Sequence, residues 1–290
     1  MELYNSRDFE VIERPEDKSN SLQNQIVAMS KALARSQINW TLEQRKLFAM
    51  CLSKIAWRQN NNSNVIELDK REIIEVLGLK LSTRYQSEYL RNAFRKLAAN
   101  SEVHWTNPDD RNEWEDDFLI YKRRSTKGKI EVTFNPTFMP HLENLAQSYV
   151  TFLTDDIYGF KSTFSYILFH ELRLNCDTRK TNWRTYTTKQ LKDLFGLGKE
   201  DYMRKDGKFD RYSFEKKVID TAIEEINRTE MIKILPFTES EASPKNPNKC
   251  YEKIKKSGLV AGYRFKYWVK TSQTPPSNGT FEDDNGSDQE

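Results

Sequence analysis

The chain has few of the residues that build metal and redox sites. It holds only three cysteines and three histidines in 290 residues, and the cysteines lack metal-type spacing. A disulfide framework is not expected, and inert thiols in a reducing compartment are the expectation. The histidines, His104, His141 and His170, form no H-x-H pair and no H-E-x-x-H run. This argues against a metal-dependent nuclease or relaxase.

Long uncharged stretches and phosphate-binding loops are also missing. The longest run without Asp, Glu, Lys or Arg spans 12 residues, 19–30, which is too short for a membrane-spanning helix. The N-terminus does not have the basic-then-apolar pattern of a signal peptide. None of the ten glycines lies in a G-x-x-x-x-G-K-[ST] motif, which argues against an ATPase or a helicase. We therefore expect a cytoplasmic protein that is not an enzyme, with no cofactor, no metal and no membrane partner.

The positive charge is concentrated in the second half of the chain. Residues 160–272 carry 24 Lys and Arg against 15 Asp and Glu, whereas residues 1–159 carry 22 against 23. Residues 273–290 carry five acidic residues and no basic ones. A local positive excess of this size favours a nucleic-acid partner for the second half. The alternative is that these charges only solvate helices.

One pattern occurs twice, 118 residues apart. Each copy has a helix-capping residue, a Glu or Gln three positions later and a terminal glycine: Asp69, Glu72 and Gly78, then Thr187, Gln190 and Gly196. The first two features form a capping box, and glycine suits the end of a helix. A longer amphipathic helix follows each copy, with the core faces Leu90, Ala93, Phe94, Leu97 and Ile219, Ala222, Ile223, Ile226. The pattern predicts two helix-turn-helix units, whose second helices can enter a DNA major groove.

Further helices are predicted in front of the first copy. A helix over 21–36 is indicated by Leu22, Ile26, Met29 and Leu33, spaced by four, three and four residues. It would pack on the first domain or, alternatively, form a dimer contact. Thr41 opens another capping box. The two long helices are expected over 83–99 and 210–228, and a helix over 161–175.

Strands after each long helix predict two wings. In the first half, strands at 102–106 and 118–122 flank an acidic loop at 107–117, and a basic turn at 126–129 precedes a strand at 130–134. This turn is either a wing that reaches phosphates or a hairpin kept soluble by its charge. In the second half, strands at 231–237 and 260–270 flank a long polar loop with five lysines, which predicts a longer and more basic wing.

The predicted fold class is α+β, mainly α, with two tandem winged-helix domains and β-hairpin wings. Residues 1–19 are expected to be a flexible N-terminus, and 273–290 a disordered acidic tail. Residues 20–147 would form an N-terminal winged helix that contacts DNA and dimerises. Residues 148–272 would form the main DNA-binding domain.

The candidate DNA-binding residues lie on the two long helices, on the turns before them and on the wings. They are Arg84, Arg91, Arg95, Arg123, Arg124, Lys127, Arg204, Lys205, Lys208, Arg211, Ser213, Lys216, Lys217, Thr221, Lys253, Lys255 and Lys256. Tyr202 and Tyr212 lie near this surface, and a covalent tyrosine nucleophile is the catalytic alternative. Such tyrosines more often pack or touch phosphates.

Several segments resemble a known family. Residues 39–47 (NWTLEQRKL), 191–197 (LKDLFGL), 212–219 (YSFEKKVI) and 225–227 (EIN) are similar to the initiator proteins of theta-replicating bacterial plasmids. The likeness covers roughly residues 20–270. These patterns specify the fold more than individual contacts.

The resemblance implies a mechanism that composition alone does not. Members of this family bind repeated origin sequences, called iterons, as monomers, with both winged helices on one face of the duplex. They help to open an adjacent A·T-rich region and bring in the host replication initiator and the replicative helicase. As homodimers they often repress their own gene, with the first domain as the interface. A repressor without initiator activity and a nicking initiator of rolling-circle replication are the alternatives.

Overall fold

The structure, a computed structural model, describes residues 26–31, 33, 40–55, 63–80, 83–106, 114–142, 149–177, 180–237 and 250–270. The predicted tails at 1–19 and 273–290 lie outside these residues. Within them, two successive units repeat one order of elements: a helix, a strand, a short helix, a long helix and a β-hairpin. The predicted pair of tandem winged helices is confirmed. No helix in these ranges is long and apolar enough to cross a membrane.

The first unit comprises β1 (Ile26–Ser30), α1 (Leu42–Ser53), β2 (Val65–Asp69), α2 (Lys70–Val76), α3 (Thr83–Ala99), β3 (Glu102–Thr106), β4 (Trp114–Phe118), β5 (Ile120–Ser125) and β6 (Lys129–Phe134). Its main sheet has the antiparallel order β2-β6-β5, and β3 and β4 form a separate hairpin. A 3₁₀-helix, Pro136–His141, follows β6.

The predicted helix starts are confirmed at the level of hydrogen bonds. The Thr41 hydroxyl accepts from the Gln44 N–H at 3.3 Å, and the Gln44 side chain accepts from the Thr41 N–H at 2.8 Å. Thr187 and Gln190 make the same reciprocal pair at 3.1 Å and 2.8 Å. The Asp69 carboxylate accepts from two N–H groups of the first turn of α2. These bonds satisfy backbone donors that a helix start otherwise leaves unpaired.

Both short helices end at a glycine in the left-handed region, as predicted. Gly78 has φ 65° and Gly196 has φ 67°, a conformation that costs other residues strain. The turn therefore comes at the same place in both units. The long helix that follows packs its apolar face inward, and Leu90 and Leu97 on α3 are fully buried.

The first predicted helix is wrong over Ile26–Ser30, whereas Lys31 and Leu33 are helical. Ile26–Ser30 is strand β1, which pairs antiparallel with β7 (Tyr149–Leu153), so that Val27 lies opposite Phe152. Val27 and Met29 are buried, which is the two-residue period of a strand. The partner strand is more than a hundred residues away, so this non-local pairing overrides the local helical spacing. Leu22 lies outside the described residues, and buried Met29 and Leu33 offer no seam to a second chain.

Two details of the strand prediction are also wrong. Residues 114–117 of the predicted acidic loop belong to β4, while 107–113 lie outside the described residues. The predicted strand at 118–122 is divided between β4 and β5 at Leu119. Leu119 is fully buried, and its N–H donates to the Ser101 carbonyl at 2.8 Å. Burial of this leucine breaks the strand, because the chain bends there to bring it into the core.

The second unit follows β7 and comprises α4 (Thr154–Gly159), α5 (Thr163–Leu174), β8 (Asn182–Thr187), α6 (Thr188–Leu194), α7 (Arg211–Phe214), a π-helical segment (Glu215–Asp220), α8 (Thr221–Ile226), β9 (Ile232–Leu235), β10 (Glu252–Lys256) and β11 (Leu259–Val269). Strand β11 is central: it pairs with β8 along one edge and with β9 and β10 along the other. Tyr263, Phe265, Tyr267 and Val269 alternate into the core, as predicted.

The long polar loop predicted for the second wing is wrong where the structure describes it. Residues 252–256 form β10, and Ser257 and Gly258, with φ 50° and 79°, connect it directly to β11. Two central residues with positive φ suit the tight turn of a twisted hairpin. The predicted lysines 253, 255 and 256 therefore lie on a strand, and Lys245 and Lys249 lie outside the described residues.

Helix α4, which the sequence did not predict, ties the two units together. The Lys46 ammonium on α1 donates to the Tyr158 carbonyl on α4 at 2.6 Å. The buried Asp156 carboxylate accepts from the Glu230 N–H at 2.7 Å and the Met231 N–H at 3.0 Å, just before β9. The buried apolar side chains of both units form one continuous cluster. The two winged helices are thus packed against each other within the described chain.

Candidate nucleic-acid interface

The helix after the second turn, here called the second recognition helix, consists of α7, the π segment and α8. Asp210 caps its start by accepting from the Ser213 N–H at 3.1 Å. Ile219, Ala222, Ile223 and Ile226 are buried, which confirms the predicted core face. A π segment changes the rotation per residue, so the helix is not the uninterrupted α-helix that the sequence predicted.

The exposed side of this helix is basic and aromatic. Lys216 and Lys217 are exposed, and Tyr212 exposes 70% of its surface. The Lys216 ammonium lies 5.8 Å from the centre of the Tyr212 ring. Three other predicted contacts, Arg211, Ser213 and Thr221, are only half-exposed. The first turns of the helix can therefore present cations and a flat ring to a groove.

A basic loop precedes this helix. Met203 and Phe209 form an isolated β-bridge, and the residues between them make a compact turn. Its predicted contacts, Arg204, Lys205 and Lys208, are all exposed. Asp206 lies 3.5 Å from the Arg204 guanidinium and 4.0 Å from the Lys208 ammonium, so it offsets part of their charge.

Asp210 is influenced by cations of both this loop and the helix. Hydrogen bonds from the Ser213 side chain and N–H lower the pKa of Asp210, and the charges of Arg204 and Lys217 lower it further. Arg204 and Lys217 come from different segments, yet both act on one carboxylate. The structure thus brings together two of the predicted contacts that are 13 positions apart in sequence.

A buried glutamate joins the recognition helix to the second wing. The Glu215 carboxylate accepts from the Lys253 ammonium at 2.7 Å and from the Tyr263 hydroxyl at 3.1 Å. The sequence reasoning missed Glu215. The spacing of the helix did indicate its burial, because position 215 is four residues before Ile219 and so falls on the core face. Lys253, a predicted DNA contact, lies at the base of the wing and is half-buried in this ion pair.

The end of the second wing carries the remaining predicted lysines. Lys255 and Lys256 are exposed, immediately before the turn formed by Ser257 and Gly258. Successive residues on a strand point to opposite faces, so the two ammonium groups flank the hairpin. This arrangement suits contact with phosphates on two sides of the tip.

The first recognition helix, α3, is also basic. Arg91 and Arg95 are exposed with Glu88 among them, and the side chain of Arg84 lies outside the described residues. The helix is anchored to α1 by a hydrogen bond from the Tyr89 hydroxyl to Glu43. The adjoining carboxylate Glu88 lowers the net positive charge that this helix offers to phosphates.

The first wing is the β5–β6 hairpin, with Arg123, Arg124 and Lys127 exposed. Arg124 lies 3.9 Å from Glu131, and Lys129 pairs with Glu67 on β2. The Lys70 ammonium donates to the Thr126 carbonyl at 2.7 Å, which holds the turn against the start of α2. Part of the basic charge at this turn therefore stabilises the wing itself.

The described residues offer little to a catalytic or metal site. They contain no group of three or more His, Cys, Asp or Glu side chains that could hold a metal ion. His170 is stacked between Phe152 and Tyr166, at ring distances of 5.1 Å and 5.8 Å. Tyr202 packs on Phe214, and burial raises the pKa of its hydroxyl, which opposes its use as a phenolate nucleophile.

Two family models match the chain in the order of the two units, and the first of them also covers α4 and most of α5. Residues 26–173 match the model described as "Initiator Replication protein, WH1", and residues 187–267 match "Initiator Rep protein, WH2". Together these matches cover most of the chain. The chain belongs to the replication initiator protein family. The predicted resemblance to plasmid replication initiators is thereby confirmed.

A solved structure has the same fold as this chain. The initiator is similar to a chain in the "Crystal structure of Pi initiator protein in complex with iteron DNA", with a TM-score of 0.62 at 16% identity. That match covers 87% of this chain and 99% of the other. A weaker match, with a TM-score of 0.45 at 13% identity, is to domains 2 and 3 of RctB, and covers 81% of this chain and 85% of that one. No individual curated protein matches the chain in sequence.

Proposed function

We propose that this family member is a plasmid replication initiator that binds iterons in double-stranded DNA through both winged helices. The observation that carries the proposal is the set of exposed lysines on the second recognition helix and the second wing, two elements that the Glu215–Lys253 ion pair joins. Lys216, Lys217, Lys255 and Lys256 are all exposed there. The similar Pi initiator protein was crystallised with iteron DNA, which supports the same class of ligand for this chain.

The predicted contacts divide into two roles under this proposal. Residues on the exposed side of the second recognition helix, among them Lys217, read or approach base edges in the major groove. Residues of the basic loop and both wings hold phosphates, which gives affinity and orientation without reading sequence. The near-neutral charge of residues 1–159, with 22 Lys and Arg against 23 Asp and Glu, suits a first domain with weaker DNA contact. The domain limits 20–147 and 148–272 remain part of this proposal.

The later steps follow from the family resemblance. The bound initiator would promote opening of an adjacent A·T-rich region and recruit the host replication initiator and the replicative helicase in the cytoplasm. As a homodimer through its N-terminal domain it would repress its own gene. None of these steps requires a catalytic residue or a cofactor of its own.

Three experiments test the proposal. Selection of duplexes from a random pool by the full chain, followed by footprinting, should return one motif protected over about two helical turns, roughly 20 base pairs. A plasmid that lacks its own initiator but keeps its origin should then replicate when this protein is supplied in trans. Sequence-specific binding without replication would favour the repressor. Failure to enrich any motif would remove the DNA-binding proposal itself. A covalent protein–DNA adduct formed on supercoiled origin DNA with a divalent metal would instead indicate a nicking enzyme.

A further inference from the structure

The tip of the second wing carries an exposed apolar side chain. Leu259, the first residue of β11, exposes 68% of its surface and lies opposite Lys256 across the hairpin. Single exposed leucines are common on protein surfaces and need no explanation by themselves. This one differs in its position, because it sits at the outermost end of a basic hairpin next to a two-residue turn. Its side chain therefore projects from the part of the wing that a ligand would contact first.

The wing is held at a fixed distance from the second recognition helix. Glu215, at the start of the π segment, binds both Lys253 on β10 and Tyr263 on β11, at 2.7 Å and 3.1 Å. From Lys253 to Lys256 the strand advances three residues, about 10 Å. The major groove is about 12 Å wide, so a hairpin of this reach beside a helix seated in the groove is long enough to approach one flanking phosphate backbone. The next surface in that direction is the adjacent minor groove.

We propose that Leu259 is a minor-groove wedge, which rests on the proposed binding of duplex DNA. The leucine side chain presses between two neighbouring base pairs, while Lys255 and Lys256 on the two faces of the hairpin contact the phosphates that border the groove. Apolar wedges of this kind partly unstack one base step and bend the duplex toward the major groove. Flexible pyrimidine–purine steps such as TA are the easiest to open in this way. The wing would then add a bend at a fixed spacing from the bases read by the helix.

The test uses the full chain and a duplex of about 30 base pairs, three helical turns, that the wild type selects from a random pool. Dyes at the two ends report bending by energy transfer. Single adenines replaced in turn by 2-aminopurine report unstacking, since this base brightens when a neighbour leaves it. Fluorescence anisotropy reports affinity. The variants are Leu259→Ala, the size-conserving control Leu259→Met, and Lys256→Ala, which removes a charge and keeps the leucine.

If Leu259 is a wedge, the wild type and Leu259→Met should each bend the duplex. Each should also raise the 2-aminopurine fluorescence at one base step, here called the bright step. Leu259→Ala should abolish the bright step and most of the bend while weakening binding less than about tenfold, because removing a wedge also removes the cost of unstacking. Lys256→Ala should weaken binding but keep the bright step. The inference is overturned if the wild type brightens no step, or if Leu259→Ala bends the duplex and brightens the step as the wild type does. If no duplex is selected at all, the proposed DNA binding fails first, and the wedge fails with it.

Discussion

The Lys253 ammonium lies 2.7 Å from the Glu215 carboxylate, so the second wing and the second recognition helix share a half-buried ion pair. The Tyr263 hydroxyl completes the site by donating to the same carboxylate. A charge removed from water at such a place is stable only while its partners remain. The relative position of helix and wing therefore depends on one glutamate.

Replacing this glutamate should destabilise the second unit. In Glu215→Ala, Lys253 and Tyr263 lose their shared acceptor in a poorly hydrated site, which should lower the free energy of unfolding by about 1–3 kcal/mol. Urea denaturation followed by circular dichroism measures this difference. The matched control is Glu224→Ala on the same helix, where Glu224 is exposed and paired only to exposed Arg228 among the described residues. The control should change stability by less than about 0.5 kcal/mol, and equal losses in the two variants would contradict the assigned role of Glu215.

The local parts of this fold were predictable from sequence, because each depends on residues a few positions apart. The capping pairs Thr41–Gln44 and Thr187–Gln190 form within one turn, and Gly196 ends its helix without tertiary help. These signals were enough to identify both helix-turn-helix units. The order of elements then followed from the spacing of the copies.

The non-local parts were not predictable by the same reasoning. Val27 lies in a strand only because β7 supplies its partner, and no pattern near Val27 indicates that pairing. Lys253 was assigned to DNA by its charge, whereas its ion pair depends on Glu215 in another element. Exposure of a basic residue is decided by tertiary packing. The sequence therefore indicated which part of the chain is basic. It could not distinguish basic residues that form structural ion pairs from those that are exposed to solvent.

Two variants on the second recognition helix test the placement of that helix on DNA. Lys217→Ala and Arg211→Ala should each weaken binding of a selected duplex by about 1–3 kcal/mol if the side chains touch bases or tightly held phosphates. Fluorescence anisotropy at one fixed salt concentration measures the change. Thermal denaturation of each variant checks that the fold is retained.

The control for these variants is another exposed lysine of the same unit. Lys180 precedes β8 at its Asn182 end, whereas Glu215 of the recognition helix binds Tyr263, which pairs with Tyr186 near the other end of that strand. A strand of six residues spans about 20 Å, so Lys180→Ala should bind nearly as the wild type does. If Lys217→Ala and Arg211→Ala bind as well as Lys180→Ala, the recognition helix is assigned to the wrong surface.

The wing lysines should act through salt-dependent binding to phosphates. The double variant Lys255→Ala, Lys256→Ala removes two exposed cations and should reduce the slope of log affinity against log salt by about 1.8, or roughly 0.9 for each phosphate that is no longer neutralised. The decrease in affinity should be similar for the selected duplex and for an unrelated one. Titrations at several salt concentrations measure both quantities. An unchanged slope, or a decrease confined to the selected sequence, would show that these lysines do not bind the DNA backbone.

The stacked His170 predicts how stability changes in weak acid. Its ring lies between Phe152 and Tyr166, and burial, followed by the positive charge of Arg45, lowers the pKa of His170 from 6.5 to about 3. Between those two values the unfolded chain binds a proton that the folded chain does not bind. The contribution of His170 to the free energy of unfolding is therefore fully present above about pH 6.5. It decreases as the pH falls, by up to about 1.4 kcal/mol for each pH unit.

The variant His170→Phe separates this effect from all other titrating groups. Phenylalanine keeps a ring between Phe152 and Tyr166 but cannot take up a proton. The difference in unfolding free energy between the variant and the wild type should therefore grow in favour of the variant between about pH 6.5 and about pH 5. Urea denaturation across this range measures it, and the nuclear magnetic resonance shift of the His170 ring should stay constant in the folded protein over the same range. Parallel stability curves, or a ring that titrates near its ordinary pKa, would show that the folded protein accepts a charged histidine at this position.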